Sequence, residues 1–262
     1  MDTVKENVRA YWDREATGFD SSFGHGLRDD RHKEIWLNIL GRNIPPDKPL
    51  RILDIGCGTG FLALLLAEMG HRMTGLDFAP RMLAMAREKT QKMGLQIVYY
   101  QGDAENPPFS PNGFDHIICR HLVWTLPHPD RALASWKALL TPGGGVTLIE
   151  GHWRSYGALA KARRFLASTV QAIEQRRLPK SWEKSYVPNP DDLPLFGGRP
   201  AGVLTDLLVA AGFHDVRKDG LADLLENEKQ CAPLSFRIRT YGIKERRFLL
   251  QARKSPAMKE PF

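Results

Sequence analysis

Short apolar runs alternate along the chain with longer stretches in which apolar residues recur every three or four positions. Leu50 to Ile55, Met73 to Asp77, Leu95 to Tyr100, Phe114 to Cys119 and Val146 to Glu150 read as buried strands. Between them the pattern predicts helices: an apolar one after the glycine loop through Met69, one from Pro80 to about Met93, and one from Asp130 to Leu140. Pro80 stands at a favoured first-turn position, and Leu133, Trp136 and Leu140 share one helical face. Thr141-Pro-Gly-Gly-Gly reads as the turn that ends the third helix. Strands alternating with helices in this way predict a parallel sheet covered by helices.

On either side of this core, expected over 46–154, the pattern changes. Thr3 and Glu6 match a capping box, and Val4, Val8, Tyr11 and Trp12 keep helical spacing, so residues 1–45 read as an N-terminal helical cap segment. After the fifth strand a long stretch shows no strand pattern and is too long for a bare loop. Within it, residues 155–197 read as a helical lid insertion. Leu159, Ala162, Leu166, Val170 and Ile173 are expected to face the cleft, with Lys161, Arg163 and Arg164 on the flank or outer face, and Pro179 as the stop. Residues 198–254 then supply a helix near Ala201 to Ala211, a Gly-Phe corner and strands around Val216 and Phe248 to Ala252, leaving 255–262 as a tail.

Composition bounds the function. A chain of 262 residues with 42% apolar content can bury one full core with decoration. Its apolar runs fall far short of the ~20 residues that span a bilayer. The opening Met1-Asp2-Thr3 carries neither a secretory nor a transit pattern. Cys57, Cys119 and Cys231 lie far apart without a C-x-x-C pair, which favours a reduced, cytoplasmic setting and no metal site. The net charge of +7 is concentrated: residues 151–185 carry eight Lys or Arg against two Glu, and residues 237–262 again eight against two. Solvated helix faces account for such runs, and so would an anionic acceptor or a nucleic acid.

Candidate chemistry centres on Leu53-Asp54-Ile55-Gly56-Cys57-Gly58-Thr59-Gly60. Glycines here let the backbone leave a strand through conformations closed to other residues and approach a ligand at a helix N-terminus. Asp77, at the end of the second strand, is placed to accept ribose hydroxyls. The spacing is G-x-G-x-G, not the G-x-G-x-x-G of dinucleotide binders, and Asp54 would repel a pyrophosphate. Asp103 closes the third strand, where it can accept from an adenine amino group. Three carboxylates around one pocket suit a ligand with an ammonium and a sulfonium.

At these residues the chain resembles the class I S-adenosylmethionine-dependent methyltransferases. The resemblance is carried by LDIGCGTG, TGLDFAP, QGDAENPPF, FDHIICRHLVWTL and LLTPGGGVTLIE over residues 50–150, and by the ending AAGF...RRFLLQARK. It implies a Rossmann-like, seven-stranded, mostly parallel sheet with helices on both faces and an antiparallel last strand. It also implies S-adenosyl-L-methionine as cofactor, with S-adenosyl-L-homocysteine as product. Gly56, Cys57, Gly58 and Gly60 would pass the backbone under the methionine part, and Asp54 would anchor its amino end. Asp77 would hold the ribose and Phe78 the adenine face, while Asp103 and the Ala104 N–H would read the adenine edge. Arg120 would stand near the carboxylate end, and Tyr11 would join from the cap.

The acceptor would lie beyond the carboxyl ends of the central strands. There the sequence offers His121 and His152 as candidate bases, with Trp12, Phe19, His25, Trp124 and Trp153 as pocket walls. An isolated histidine is equally a structural residue, and Cys57 and Cys119 read as buried fillers. Methyl transfer to an O, N or S atom of a small molecule is the leading expectation. The alternative is an RNA methyltransferase with the basic lid and tail as a phosphate track, but Arg120-His121-Leu122-Val123-Trp124 departs from the Asn/Asp-Pro-Pro-aromatic run of base-amine enzymes.

Overall fold

The computed structural model describes residues 3–44, 47–152, 158–175, 192–241 and 246–257. Among them seven strands form one sheet: β1 (Arg51–Ile55), β2 (Arg72–Asp77), β3 (Ile97–Gln101), β4 (Phe114–Arg120), β5 (Leu140–Glu150), β6 (His214–Asp219) and β7 (Phe248–Arg253). Their order is β3-β2-β1-β4-β5-β7-β6, parallel throughout the first five, with β7 antiparallel to both β5 and β6. The parallel core is what the alternating pattern predicts, and the Rossmann-like order of seven strands is what the resemblance implies. The helices are α1 (Thr3–Phe19), α2 (Asp30–Asn43), α3 (Phe61–Glu68), α4 (Pro80–Lys92), α5 (Pro129–Leu139), α6 (Ala158–Gln175), α7 (Ala201–Ala210), α8 (Ala222–Cys231) and α9 (Leu234–Thr240).

Because side chains alternate across a strand, neighbouring residues of the central strands feed two separate cores. Leu53, Ile55, Ile117, Cys119, Leu148 and Leu250 pack against α5 and α7 through Leu133, Trp136, Leu204 and Leu208. Ile52, Ile118, Ile149 and Leu249 point the other way, onto α2, α3 and α4. Both faces of β1, β4 and β5 are therefore buried, which is why they read as continuous apolar runs. In α3, Phe61 through Leu66 are all buried, since the helix lies between the sheet and Trp36 of α2, whose ring meets Phe61 at 5.2 Å. Asp29 starts α2 by accepting the His32 N–H at 2.7 Å.

Three local expectations change. Thr3 is the first residue of α1, already helical where an N-cap was expected, and Glu6 takes the Arg9 guanidinium at 3.0–3.2 Å. The glycine run after Leu140 is drawn into the sheet as an irregular start to β5, where Leu140 pairs with Phe114 before the register shifts. The third change concerns α6. Leu159, Leu166 and Ile173 are 79%, 53% and 74% exposed, and Ala162 is exposed with them, whereas Ala167 is fully buried and Val170 half-buried. All of the stripe expected to face the cleft except Val170 is turned to the outside. The opposite, polar face binds α9: Gln171 accepts from Arg239 at 2.5 Å, Glu174 from the Ser235 hydroxyl, and Arg163 donates to the Tyr241 carbonyl. Since α9 offers donors and a carbonyl, hydrogen bonding decides which face of α6 turns inward. No helix of the described residues is long and apolar enough to cross a membrane.

Candidate active site

The loop after β1 is tied to the end of β2. Gly56 and Cys57 N–H groups both donate to the Leu76 carbonyl, at 2.7 and 3.0 Å. Gly56 has φ +68°, and a Cβ there would lie 2.8 Å from Leu122 Cδ1. Gly58 has φ +54°, and a Cβ there would meet nothing nearer than Phe19 Cε1 at 3.9 Å, across the open side of the loop. The Gly58 N–H donates to Asp77 Oδ2 at 2.8 Å, while Asp77 Oδ1 accepts from Ala79 at 2.8 Å. Burial raises the Asp77 carboxyl against those two N–H groups. Asp54, 1% exposed, lies under the loop and accepts the Ala63 N–H at 3.2 Å in the first turn of α3. Burial pushes its carboxyl up to about 7, against the opposing pull of Arg120.

These groups open onto one cavity of about 1440 Å³ at the carboxyl edge of the sheet. Asp54, Gly56, Cys57, Gly58, Asp77, Phe78, Asp103 and Ala104 line one side of it. The helix α1 roofs it with Tyr11, Trp12 and Phe19, whose rings meet edge to face at 5.1 and 5.7 Å. Ala16 of that helix packs on Ala79 and Met82 at the start of α4. At its other end Lys5 reaches Asp103 Oδ2 at 2.7 Å and Glu105 Oε2 at 2.5 Å. Gly60 stands off the cavity wall, against the Tyr99 hydroxyl.

Residues 52–144 match a family model described as a methyltransferase domain. The glycine loop and the strand-end carboxylates that converge on one cavity lie within that stretch. Residues 52–144 form a methyltransferase domain. The chain is 37% identical over 119 residues to a phosphatidylethanolamine N-methyltransferase of Cereibacter sphaeroides, covering 45% of this chain and 58% of that protein. It is 33% identical over 181 residues to a ubiquinone biosynthesis O-methyltransferase of Dinoroseobacter shibae, covering 67% and 64%. It thus spans less than two thirds of these relatives' length. Among solved structures, a Haemonchus contortus phosphoethanolamine N-methyltransferase 2, in complex with phosphomonomethylethanolamine and S-adenosylhomocysteine, superposes with a TM-score of 0.64 at 19% identity, covering 98% of this chain and 61% of that one. At that identity the likeness is one of fold.

Within the methyltransferase domain, the far end of the cavity is built by the turn after β4. Glu150 Oε1, at the end of β5, accepts the Leu122 and Val123 N–H groups at 2.8 and 2.7 Å and so fixes that turn. His121 is held at φ +57°, an uncommon conformation for a residue with a Cβ. Burial drives its imidazole well below the usual histidine range, helped by Arg247 and Arg120. Its ring stands perpendicular to that of His25, 6.0 Å away, and burial pushes His25 down to about 3. Both are neutral rings on the cavity wall. Trp124 lines the same wall and leans on Phe196 at 6.0 Å. Arg120 donates to the His25 carbonyl at 2.7 Å and lies 3.8 Å over the Phe61 ring, with burial lowering it to about 9.

The structure thus gathers the acids, the loop, Arg120, His121, Trp124 and the aromatic residues of the cap. It does not gather His152, which forms a bridge with Gly198 and does not line the cavity. Trp153 lies outside the described residues. Cys57 and Cys119 are buried, with thiols pushed up by burial, as fillers are. The cavity also includes residues that pattern reading missed: Lys5, Arg28, Gln171, Glu174 and Arg247. Arg246-Arg247 abutting the buried run of β7 was a usable signal, because a cation beside a buried strand needs a partner. Lys5, Gln171 and Glu174 carried none.

Proposed function

We propose that this protein is an S-adenosylmethionine-dependent methyltransferase acting on a small molecule, with the cavity described above holding both cofactor and acceptor. The observation that carries the reading is the convergence of Asp54, Asp77 and Asp103 on one cavity beside a loop that Gly58 leaves open. A side chain at Gly58 would fill that opening, so backbone approach to a ligand fits. The Asp54 and Asp77 carboxylates suit a cationic ligand and oppose a pyrophosphate. When bound, the cofactor supplies an electrophilic methyl group on a sulfonium.

In this reading the chain's own residues bind and orient. Asp54 and Arg120 hold the amino and carboxylate ends, Asp77 the ribose hydroxyls, and Phe78, Asp103 and the Ala104 N–H the adenine. Lys5 neutralises Asp103 and ties α1 over the adenine end, so the cap closes on the cofactor by an ion pair. Tyr11 joins the cofactor from the cap, Trp12, Phe19, His25 and Trp124 wall the acceptor, and His121, a neutral imidazole at the cavity surface, is the group available to take a proton. His152, off the cavity, is dropped from that role. The RNA reading loses support along α6, where Arg163 turns toward α9 and Leu159, Phe165, Leu166 and Ile173 are exposed beside Lys161. Calorimetric titration tests the proposal: S-adenosylhomocysteine binds at micromolar levels and NADH does not. Tight NADH binding would sink it.

A further inference from the structure

We propose that the outer face of α6 docks on an anionic lipid surface. The inference goes beyond methyl transfer and stands without it, since it rests on the outside of the molecule.

A helix on a protein in water ordinarily hides its apolar stripe and shows its polar face. In α6 the arrangement is reversed. Its polar face turns inward, where Gln171 and Glu174 line the cavity and bond Arg239 and Ser235 of α9. At 100° per residue, Leu159, Ala162, Phe165, Leu166, Thr169 and Ile173 fall within an arc of about 120°. All six are exposed, and Phe165, at 75%, is as open as Leu159 and Ile173. From Leu159 to Ile173 the ridge runs about 20 Å along the helix. Apolar residues scattered singly over a surface need no partner, but four large ones in one ridge mark an interaction site.

Charge selects the occupant. Ala158 to Ile173 contains Lys161, Arg163 and Arg164 and no Asp or Glu. Lys161 is exposed at one edge of the ridge, and by helical spacing Arg163 lies beyond the other. The whole chain carries a net charge of +7, so the longer-range field is positive as well. An apolar ridge bordered by cations is the pattern of a helix lying in the headgroup layer. Its apolar side chains enter the acyl boundary, and its cations meet the phosphates. A second copy would set this positive stretch against itself, and a nucleic acid would meet an apolar ridge in place of phosphate contacts. Because the opposite face of α6 lines the cavity, docking sets that cavity roughly one helix diameter, 10–12 Å, from the lipid.

The test is co-sedimentation of the full chain with large unilamellar vesicles of phosphatidylcholine, alone or with about one third phosphatidylglycerol. The chain should bind the anionic vesicles at least tenfold more tightly than the neutral ones and lose most of that gain in molar salt. Phe165→Ser combined with Ile173→Ser should weaken binding to anionic vesicles at least tenfold, with the thermal midpoint shifted by no more than about 3 °C. Lys161→Glu should weaken binding to the anionic vesicles alone. No binding to either vesicle overturns the proposal, and so does binding that the double variant leaves intact. A dimer in light scattering that the double variant dissociates would give the ridge to a second copy. A large loss of thermal stability in the double variant would mean that the chain's own residues cover the ridge, and the proposal falls.

Discussion

Asp54 and Asp77 both end strands, yet the fold loads them differently. Asp77 already holds two N–H groups, those of Gly58 and Ala79, and its remaining acceptor capacity faces the cavity. Hydrogen bonds to a charged group are worth roughly 1.5–3 kcal/mol, so Asp77→Ala should weaken S-adenosylhomocysteine about ten- to a hundredfold by calorimetry. Unchanged affinity would place the ribose elsewhere. Asp54 is sealed under the loop with a carboxyl at about 7. A ligand ammonium needs its ionised form, so affinity should fall as pH drops below 7, by up to about tenfold per unit. Asp54→Asn should flatten that profile, and parallel profiles would refute the pairing. The spacing of these acids was legible in the sequence because a strand end and a glycine loop fix their positions locally. That Lys5 lies on Asp103 was not, because 98 residues separate them.

Among the elements, α6 shows where periodicity misleads. An apolar stripe marks a face without saying what that face meets. Here all of it but Val170 lies outside, so single substitutions of Leu159, Leu166 or Ile173 by Ser should shift stability by no more than about 0.5 kcal/mol in urea unfolding. Glu174→Ala, by contrast, should loosen α6 from α9, because it strips the Ser235 hydroxyl of its acceptor. A large loss in the stripe variants, with none at Glu174, would restore the inward orientation. The antiparallel β7 makes a similar point. Its apolar run identified a strand, but direction alone delivered Arg247 to the cavity.

For the whole molecule, burial of ionisable groups sets a pH optimum. His25 and His116 are pushed down to about 3 and His32 to about 4, chiefly by burial. Depressed histidines contribute stability above their unfolded value of about 6.5 and lose it as pH falls toward their folded values. Asp54 and Glu150, raised by burial to about 7 and about 8, act in the opposite sense: their contribution is complete near pH 4 and is lost as pH rises through 7 to 8. Ligand-free protein should therefore be most stable at about pH 6.5–7 in thermal unfolding. Glu150→Gln, which keeps an acceptor for the Leu122 and Val123 N–H groups, should remove much of the fall above pH 7. A fall equally steep in that variant would mean that Glu150 is ionised throughout. The sequence by itself determined the strands, the helices between them, the glycine loop and its three acids. Each of these rests on contacts between neighbours in sequence or on the period of a strand or helix. Tertiary structure alone decided which histidine meets the cavity, which face of α6 turns inward, and that Arg247 reaches the cavity. Those outcomes depend on strand direction and on hydrogen bonds between segments far apart in the chain, which no local pattern encodes.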